Sequence, residues 1–266
     1  MKLFDLFKRK PRTLGLALSG GATHGAAHIG ILQVFEREGI KPDFVAGTSA
    51  GALVGAAYCA GVPLDELEKL FLGMSWPTLV KLSLIRPLAL FDTQPMEEFL
   101  RKKIGDCEFK DLNLPFAAIC CDIVTGERVV LDKGPIAPAV RASAAIPGLF
   151  SPVEIDGRLL VDGGVVDNLP VEQVREMGAK FTIACDVSSP SKRGKRPENP
   201  FENILSMFYI MQERSTSLNQ DLSDCLIRPN ISQYSSWAFG DSTKVIEEGR
   251  RAAEAALPQL AQFIGK

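Results

Sequence analysis

The sequence predicts a three-layer α/β protein, with a central, mostly parallel sheet and helices on both faces. Twice near the start, an apolar run of strand length passes through a glycine-containing turn straight into a segment of helical periodicity. The first unit spans Thr13 to Glu38 and the second Phe44 to Ala60. Successive strand–turn–helix units of this kind build parallel sheets. The chain has 266 residues, of which 46% are hydrophobic and 23% charged, enough to bury a large core around such a sheet. No internal repeat or long linker divides it.

The elements follow in chain order. Met1 to Lys10 mixes Phe4, Leu6 and Phe7 with Lys2, Lys8, Arg9 and Lys10 ahead of Pro11. Two readings of residues 1–12 stand: a frayed, solvated terminus, or a basic and apolar segment lying on an anionic membrane surface. The segment has no apolar core of signal-peptide length, which predicts a cytoplasmic chain; the second reading adds peripheral contact with the inner face of the membrane. Residues 13–266 are expected to form one domain, with its motifs within about 16–187 and a helical C-terminal part at about 200–266. Thr13 to Leu18 is the first strand and delivers the chain into Ser19-Gly20-Gly21-Ala22-Thr23-His24-Gly25. The next helix covers Ala26 to Glu38, with Ile31, Leu32, Val34 and Phe35 apolar and Gly39 as its stop. Phe44 to Ala46 is the second strand, Ala50 to Ala60 a small-residue helix, and Leu64 to Met74 an amphipathic one. Trp76 to Phe91 is rich in leucine and interrupted by Pro77 and Pro87. It reads either as a cap packed over the site or as an apolar face turned to lipid. Pro95 to Ile104 and Pro138 to Ala145 are expected helices, and Phe116 to Asp122 and Glu127 to Leu131 expected strands. A further strand runs into Asp162, and Asp167-Asn168 is expected to cap a helix over Val171 to Met177, after Pro170.

The formal net charge of −2, with no stripe of Lys and Arg interleaved with aromatics, excludes a nucleic-acid binder. No apolar run reaches the roughly 18 to 20 residues of a membrane-spanning helix. Six cysteines lack C-x-x-C spacing, and several sit in apolar runs, so they read as buried reduced thiols rather than a disulfide frame or a zinc site.

Three short stretches carry the chemistry. In Val45-Ala46-Gly47-Thr48-Ser49-Ala50-Gly51 a strand must turn at once into a helix, with a serine at the corner. Such a turn strains the serine backbone and points its hydroxyl out of the fold, and Gly47 and Gly51 leave no Cβ where strand and helix cross. Gly-x-Ser-x-Gly is also a common pentapeptide, and its place between strand and helix is what marks it. The loop of Gly20, Gly21 and Ala22 offers bare backbone amides. It is not a dinucleotide fingerprint, because Ala22 stands at the middle glycine, and it is not a P-loop, because Gly-Lys-Ser/Thr is missing. What remains is an oxyanion hole beside Ser49, since adjacent parallel strands end at one sheet edge. In the third stretch a strand ends in Asp162-Gly163-Gly164, which makes Asp162 either a carboxylate facing Ser49 or a turn former. Both histidines, His24 and His28, precede Ser49, so the Ser…acid…His order of an ordinary α/β-hydrolase is unavailable. His28 shares a helical face with Ile31, Leu32 and Phe35 and reads as a packed structural side chain.

Taken together, Leu18 to Gly30, Gly47-Thr48-Ser49-Ala50-Gly51 and Asp162-Gly163-Gly164 resemble the motifs of the bacterial patatin-like phospholipases, a family of lipid acyl hydrolases. Ala142-Ser143-Ala144-Ala145-Ile146-Pro147-Gly148 and Asp167-Asn168-Leu169-Pro170 add to the resemblance, which covers roughly Leu16 to Val187. It implies a patatin-like fold and hydrolysis of lipid carboxylic esters without metal or organic cofactor. It also implies Ser49 as nucleophile, Asp162 as its only catalytic partner, and an oxyanion hole of Gly20, Gly21 and Ala22, supported by Gly47, Gly51, Gly163 and Gly164. The family usually has a third glycine where Ala22 stands and Lys or Arg where His24 stands. These departures leave open a second reading, a patatin-fold regulator or membrane-associated scaffold with vestigial activity. An imidazole at His24 would carry charge only near or below its pKa of about 6.5. A lone Asp162, partly buried and held by the Gly163 and Gly164 amides, is expected to lose its activity as base below about pH 6.

Overall fold

The computed structural model describes residues 13–83, 88–188 and 196–264, so the two readings of residues 1–12 lie outside the described residues. The first unit appears as predicted: β1 (Leu14–Leu18) leads through a short 3-10 turn at Ala22–Gly25 into α1 (Ala26–Glu38), which Gly39 ends in the left-handed conformation at φ 69°. The second is β2 (Phe44–Thr48) and α2 (Ala50–Cys59). Next come α3 (Leu64–Leu72), α4 (Trp76–Leu79), a small hairpin of β3 (Lys81–Leu82) and β4 (Phe91–Asp92), and α5 (Gln94–Ile104). The chain continues through β5 (Phe116–Asp122), β6 (Arg128–Leu131), α6 (Ile136–Ser143), β7 (Val153–Ile155) and β8 (Arg158–Asp162). It ends with α7 (Val171–Glu176), β9 (Phe181–Cys185), α8 (Pro200–Asn219), β10 (Cys225–Ile227) and α9 (Ser242–Ile264).

Five strands run parallel in the order β10-β9-β1-β2-β5. Three more are antiparallel: β6 and β8 both pair with β5, and β7 pairs with β8. Alternation along each strand sorts side chains by size. Leu14, Leu16 and Leu18 of β1, Val45 of β2 and Ile183 of β9 enter the large core with α1, α2 and α9. Ala17, Ala46, Ala117 and Ala184 face the other way, onto Leu169, Val171 and Val174. These small residues let α7 lie close to the sheet. Leu16 and Leu18 are fully buried, each contributing roughly 1.5–3 kcal/mol by leaving water.

Two expectations are corrected. The C-terminal part is not wholly helical, because β10 interrupts it and pairs with β9, extending the sheet past residue 187. Three residues are too few to announce a strand by periodicity, and they make a short edge strand beside β9. Asp167 and Asn168 do not cap α7 either; Pro170 stands at its N-cap, with no side-chain cap. Asp167 instead accepts from Arg128 Nε at 2.7 Å and from Asn219 Nδ2 at 2.8 Å, while Asn168 is fully buried and donates to Thr216 Oγ1 at 2.9 Å. Both side chains are taken up by tertiary partners on β6 and α8. Among the described residues all six cysteines are free thiols, five buried and Cys107 partly exposed. No helix there is long and apolar enough to cross a membrane.

Candidate active site

The site starts from the pairing of β1 with β2, which sets Leu18 opposite Gly47. The loop after β1 and the turn after β2 therefore leave the sheet side by side. A Cβ on Gly51 would stand 2.2 Å from the Leu18 carbonyl oxygen, and one on Gly47 2.5 Å from the Gly51 carbonyl oxygen. Only glycine permits this crossing. Ser49 sits at the corner with φ 54° and ψ −120°, a region costly for a residue with a side chain. The surroundings hold it there: its amide donates to Ser143 Oγ at 2.9 Å, and that hydroxyl donates in turn to the Ile119 carbonyl at 2.6 Å. Ser143 lies on α6 and had no role assignable from sequence, since only packing brings it under the turn.

Asp162 reaches Ser49 by strand arithmetic. Ile119 of β5 pairs with Thr48 of β2 and Val130 of β6, while the next residue, Cys120, pairs with Val129 of β6 and Asp162 of β8. A strand has two edges, so β2 and β8 share one edge of β5 and meet end to end, with Ser49 following one and Asp162 closing the other. Asp162 is completely buried, and its Oδ1 accepts from the Gly164 amide at 2.8 Å. Of the two amides expected to reach this carboxylate, Gly164 does so; Gly163 packs against the Ile119 carbonyl, which a Cβ would approach to 2.4 Å. The Ser49 hydroxyl lies close enough to favour the charged carboxylate, yet Oδ2 makes no hydrogen bond of ordinary geometry among the described residues. Loose catalytic contacts are common without substrate and tighten when it binds. Burial pushes the Asp162 carboxyl up to about 7, against the smaller lowering effects of the Ser49 hydroxyl and the Gly164 amide. Full burial corrects the expectation of partial burial, and moves the expected acid limb from below pH 6 up to about pH 7.

In the loop, the Gly20 amide is already bonded to the Asn168 carbonyl at 3.3 Å. The amides of Gly21 and Ala22 meet no acceptor among the described residues. Ala22 adopts φ 51°, so alanine takes the left-handed conformation that a third glycine would adopt without strain. His28 donates from Nε2 to the Ser19 carbonyl at 2.9 Å, and burial lowers its pKa to about 4, a packed neutral imidazole that holds the entrance of the loop. His24 is also buried, its Nε2 3.2 Å from the Tyr234 carbonyl, and desolvation lowers its pKa despite the carbonyls of Tyr234 and Val187. The expectation that His24 could act by charge near neutral pH is thereby corrected, because the segment 234–236 covers it. His24→Arg should not raise activity at pH 8. Desolvating a guanidinium, which the carbonyls of Tyr234 and Val187 offset only in part, should instead lower stability by about 1–3 kcal/mol, read as a drop in the thermal unfolding midpoint.

Ser49 lies at the wall of an apolar pocket whose sides include Phe71, Met74, Trp76, Phe150, Trp237 and Phe239. Trp76 stacks on Trp237 with centroids 4.8 Å apart and donates its indole N–H to the Trp237 carbonyl at 2.9 Å. The Trp76–Phe91 stretch thus serves in part as a cap, through Trp76 and Leu79, while Leu82 and Leu88 point outward. Residues 84–87 of that stretch lie outside the described residues.

Comparison with known proteins bears on the family and the fold. A family model described as patatin-like phospholipase matches residues 16–175. An uncharacterized NTE family protein of Mycobacterium bovis is 33% identical over 212 residues, covering 79% of this chain and 58% of that protein. A lysophospholipase of Emericella nidulans is 30% identical over 281 residues, covering 94% of this chain and 18% of its own length. The chain therefore spans well under two thirds of either relative. Among solved structures, VipD from Legionella pneumophila shares the fold with a TM-score of 0.62 at 15% identity, covering 94% of this chain and 67% of VipD.

Proposed function

The chain belongs to the patatin-like phospholipase family, and from that premise we propose that it is a serine hydrolase of lipid acyl esters working through a Ser49–Asp162 dyad. One observation carries the reading. A strained serine and a fully buried carboxyl with pKa raised to about 7 adjoin each other beside a pocket walled by aromatic side chains. Perturbed titration of this kind marks a group matched to proton transfer near neutral pH.

In the proposed reaction the acyl chain fills the apolar pocket and presents its carbonyl to Ser49 Oγ. The ionised Asp162 takes the hydroxyl proton as the new C–O bond forms, and the amides of Gly21 and Ala22 hold the developing oxyanion. Asp162 returns the proton to the departing alcohol. Water then attacks the acyl-enzyme, losing a proton to Asp162, which passes it to Ser49 Oγ as the acyl–serine C–O bond breaks and the carboxylic acid leaves. Gly47 and Gly51 permit the turn, and Gly163 and Gly164 permit the carboxylate to approach. Against a scaffold with vestigial activity, Ala22 keeps its amide and the φ needed, and His24 stands outside the proton path, so neither departure removes a group the chemistry uses.

An apolar pocket adjoins Ser49, and the fungal relative is named a lysophospholipase; a monoacyl phospholipid is therefore the proposed substrate. Release of free fatty acid from lysophosphatidylcholine, with covalent labelling of Ser49 by a fluorophosphonate, is the expected result. Labelling without turnover of any ester in a panel of short- and long-chain substrates would favour the scaffold, and absence of both would end the hydrolase reading.

A further inference from the structure

Two polar side chains around Ser49, Asn168 and Gln212, have no task in the dyad, and Gln212 comes from outside the motif stretches. The point where a Cβ would stand on Gly20 lies 2.6 Å from Asn168 Oδ1, 2.9 Å from Gln212 Nε2 and 3.0 Å from Ser49 Cβ. The corresponding point on Gly164 lies 3.0 Å from Asp162 Oδ1 and also 3.0 Å from Gln212 Nε2. The Gln212 carboxamide, brought in by α8, therefore stands between the glycine loop and the Asp-Gly-Gly turn, next to the serine. Gln212 is 2% exposed. Asn168 Oδ1 and Asp162 Oδ2 are both buried acceptors that make no hydrogen bond among the described residues. Buried acceptors without partners are uncommon and call for an occupant that donates hydrogens.

We infer that Gln212 and Asn168 seat the water that hydrolyses the acyl-enzyme, an inference that rests on the serine-hydrolase reading. A water has two hydrogens and two lone pairs. One hydrogen is directed to Asp162 Oδ2, which the acylated Ser49, having lost its hydroxyl proton, no longer engages. The other goes to Asn168 Oδ1. A Gln212 N–H donates to one lone pair, and the second lone pair faces the acyl carbon. In the step itself a bond forms between the water oxygen and the acyl carbon, and the water proton moves to Asp162. The C–O bond to Ser49 then breaks, Ser49 takes that proton back, and a free carboxylic acid results. Gln212 is thus a positioning residue for deacylation, with no part in acylation.

This division gives the test. In an acyl-enzyme mechanism kcat/KM reports acylation alone, while slower deacylation lowers kcat and KM together. With p-nitrophenyl butyrate, Gln212→Met should leave kcat/KM and the rate of fluorophosphonate labelling near those of the parent. It should lower kcat and KM by about tenfold or more and produce a burst of p-nitrophenolate approaching one per site, with acyl-Ser49 visible by mass spectrometry. Equal losses in kcat/KM and labelling, with no acyl-enzyme accumulating, would overturn the assignment. If Gln212→Met fails to fold, Gln212→Asn, which draws the carboxamide back by one methylene, should show the same burst with a smaller fall in kcat; its absence overturns the proposal equally. A parent chain that neither hydrolyses the ester nor labels would instead locate the failure in the hydrolase reading itself.

Discussion

Ser49→Ala is expected to remove ester hydrolysis by at least about four orders of magnitude and to abolish fluorophosphonate labelling, while leaving the fold intact. In the proposed mechanism the Ser49 hydroxyl forms the acyl bond, and the turn does not depend on it. What holds the turn is the Ser49 amide on Ser143 Oγ and the close crossing of Gly47 and Gly51, neither of which involves the side chain. The strain at φ 54° belongs to any residue with a Cβ, so alanine inherits it. Glycine would not, and Ser49→Gly should be more stable than Ser49→Ala by about 1 kcal/mol, measured by urea denaturation. An alanine variant that still turns over a short-chain ester at a tenth of the parent rate would move the nucleophile elsewhere.

The parts of the site legible in the sequence are those written within a few consecutive residues. The Gly-x-Ser-x-Gly turn and the glycine loop each lie between a run of period two and a run of helical period, and local sterics alone then fix what they do. That β1 and β2 run side by side follows from the connectivity of parallel strands. The direction of the strand carrying Asp162 was not read, although a signal was present. Asp156 and Gly157 join Val153–Ile155 to Arg158–Asp162 with φ 52° and 75°, the Asp-Gly pair of a tight hairpin, and this makes β8 antiparallel to β7. The rest depended on contacts between distant segments. Asn168 reads as a cap because Asn is a common helix cap and Pro170 opens the next helix, yet Thr216 of α8, 48 residues later, claims its side chain. Burial of Asp162 and His24 is likewise set by the whole fold, so their pKa directions could not be taken from neighbouring residues. Gln212 carries no motif at all, and only the docking of α8 gives it a place.

The burial of Asp162 makes its removal the more informative experiment. Only the ionised carboxylate can take the Ser49 proton, so kcat/KM of the parent should rise through about pH 7. An imidazole base would give a limb in much the same place, so the limb alone does not identify the base. The variant does: Asp162→Asn keeps the shape and removes the base, and should lower kcat/KM by about 10²–10⁴-fold while erasing the limb near pH 7. The two histidines offer no substitute, because burial lowers both and sets His28 at about 4. Stability should move the opposite way. A carboxyl whose folded pKa lies above its unfolded value of 3.8 contributes fully below that value and loses its contribution as pH rises through about 7. At about 1.4 kcal/mol per unit, the rise corresponds to roughly 4 kcal/mol of folding free energy given up by pH 8. Asn has no such titration, so Asp162→Asn should resist urea better than the parent at pH 8 and lose that advantage by pH 4. An inactive variant of raised stability at alkaline pH is what a buried catalytic carboxylate entails. A variant that keeps the limb near pH 7 and more than a tenth of the activity would place the base on another residue.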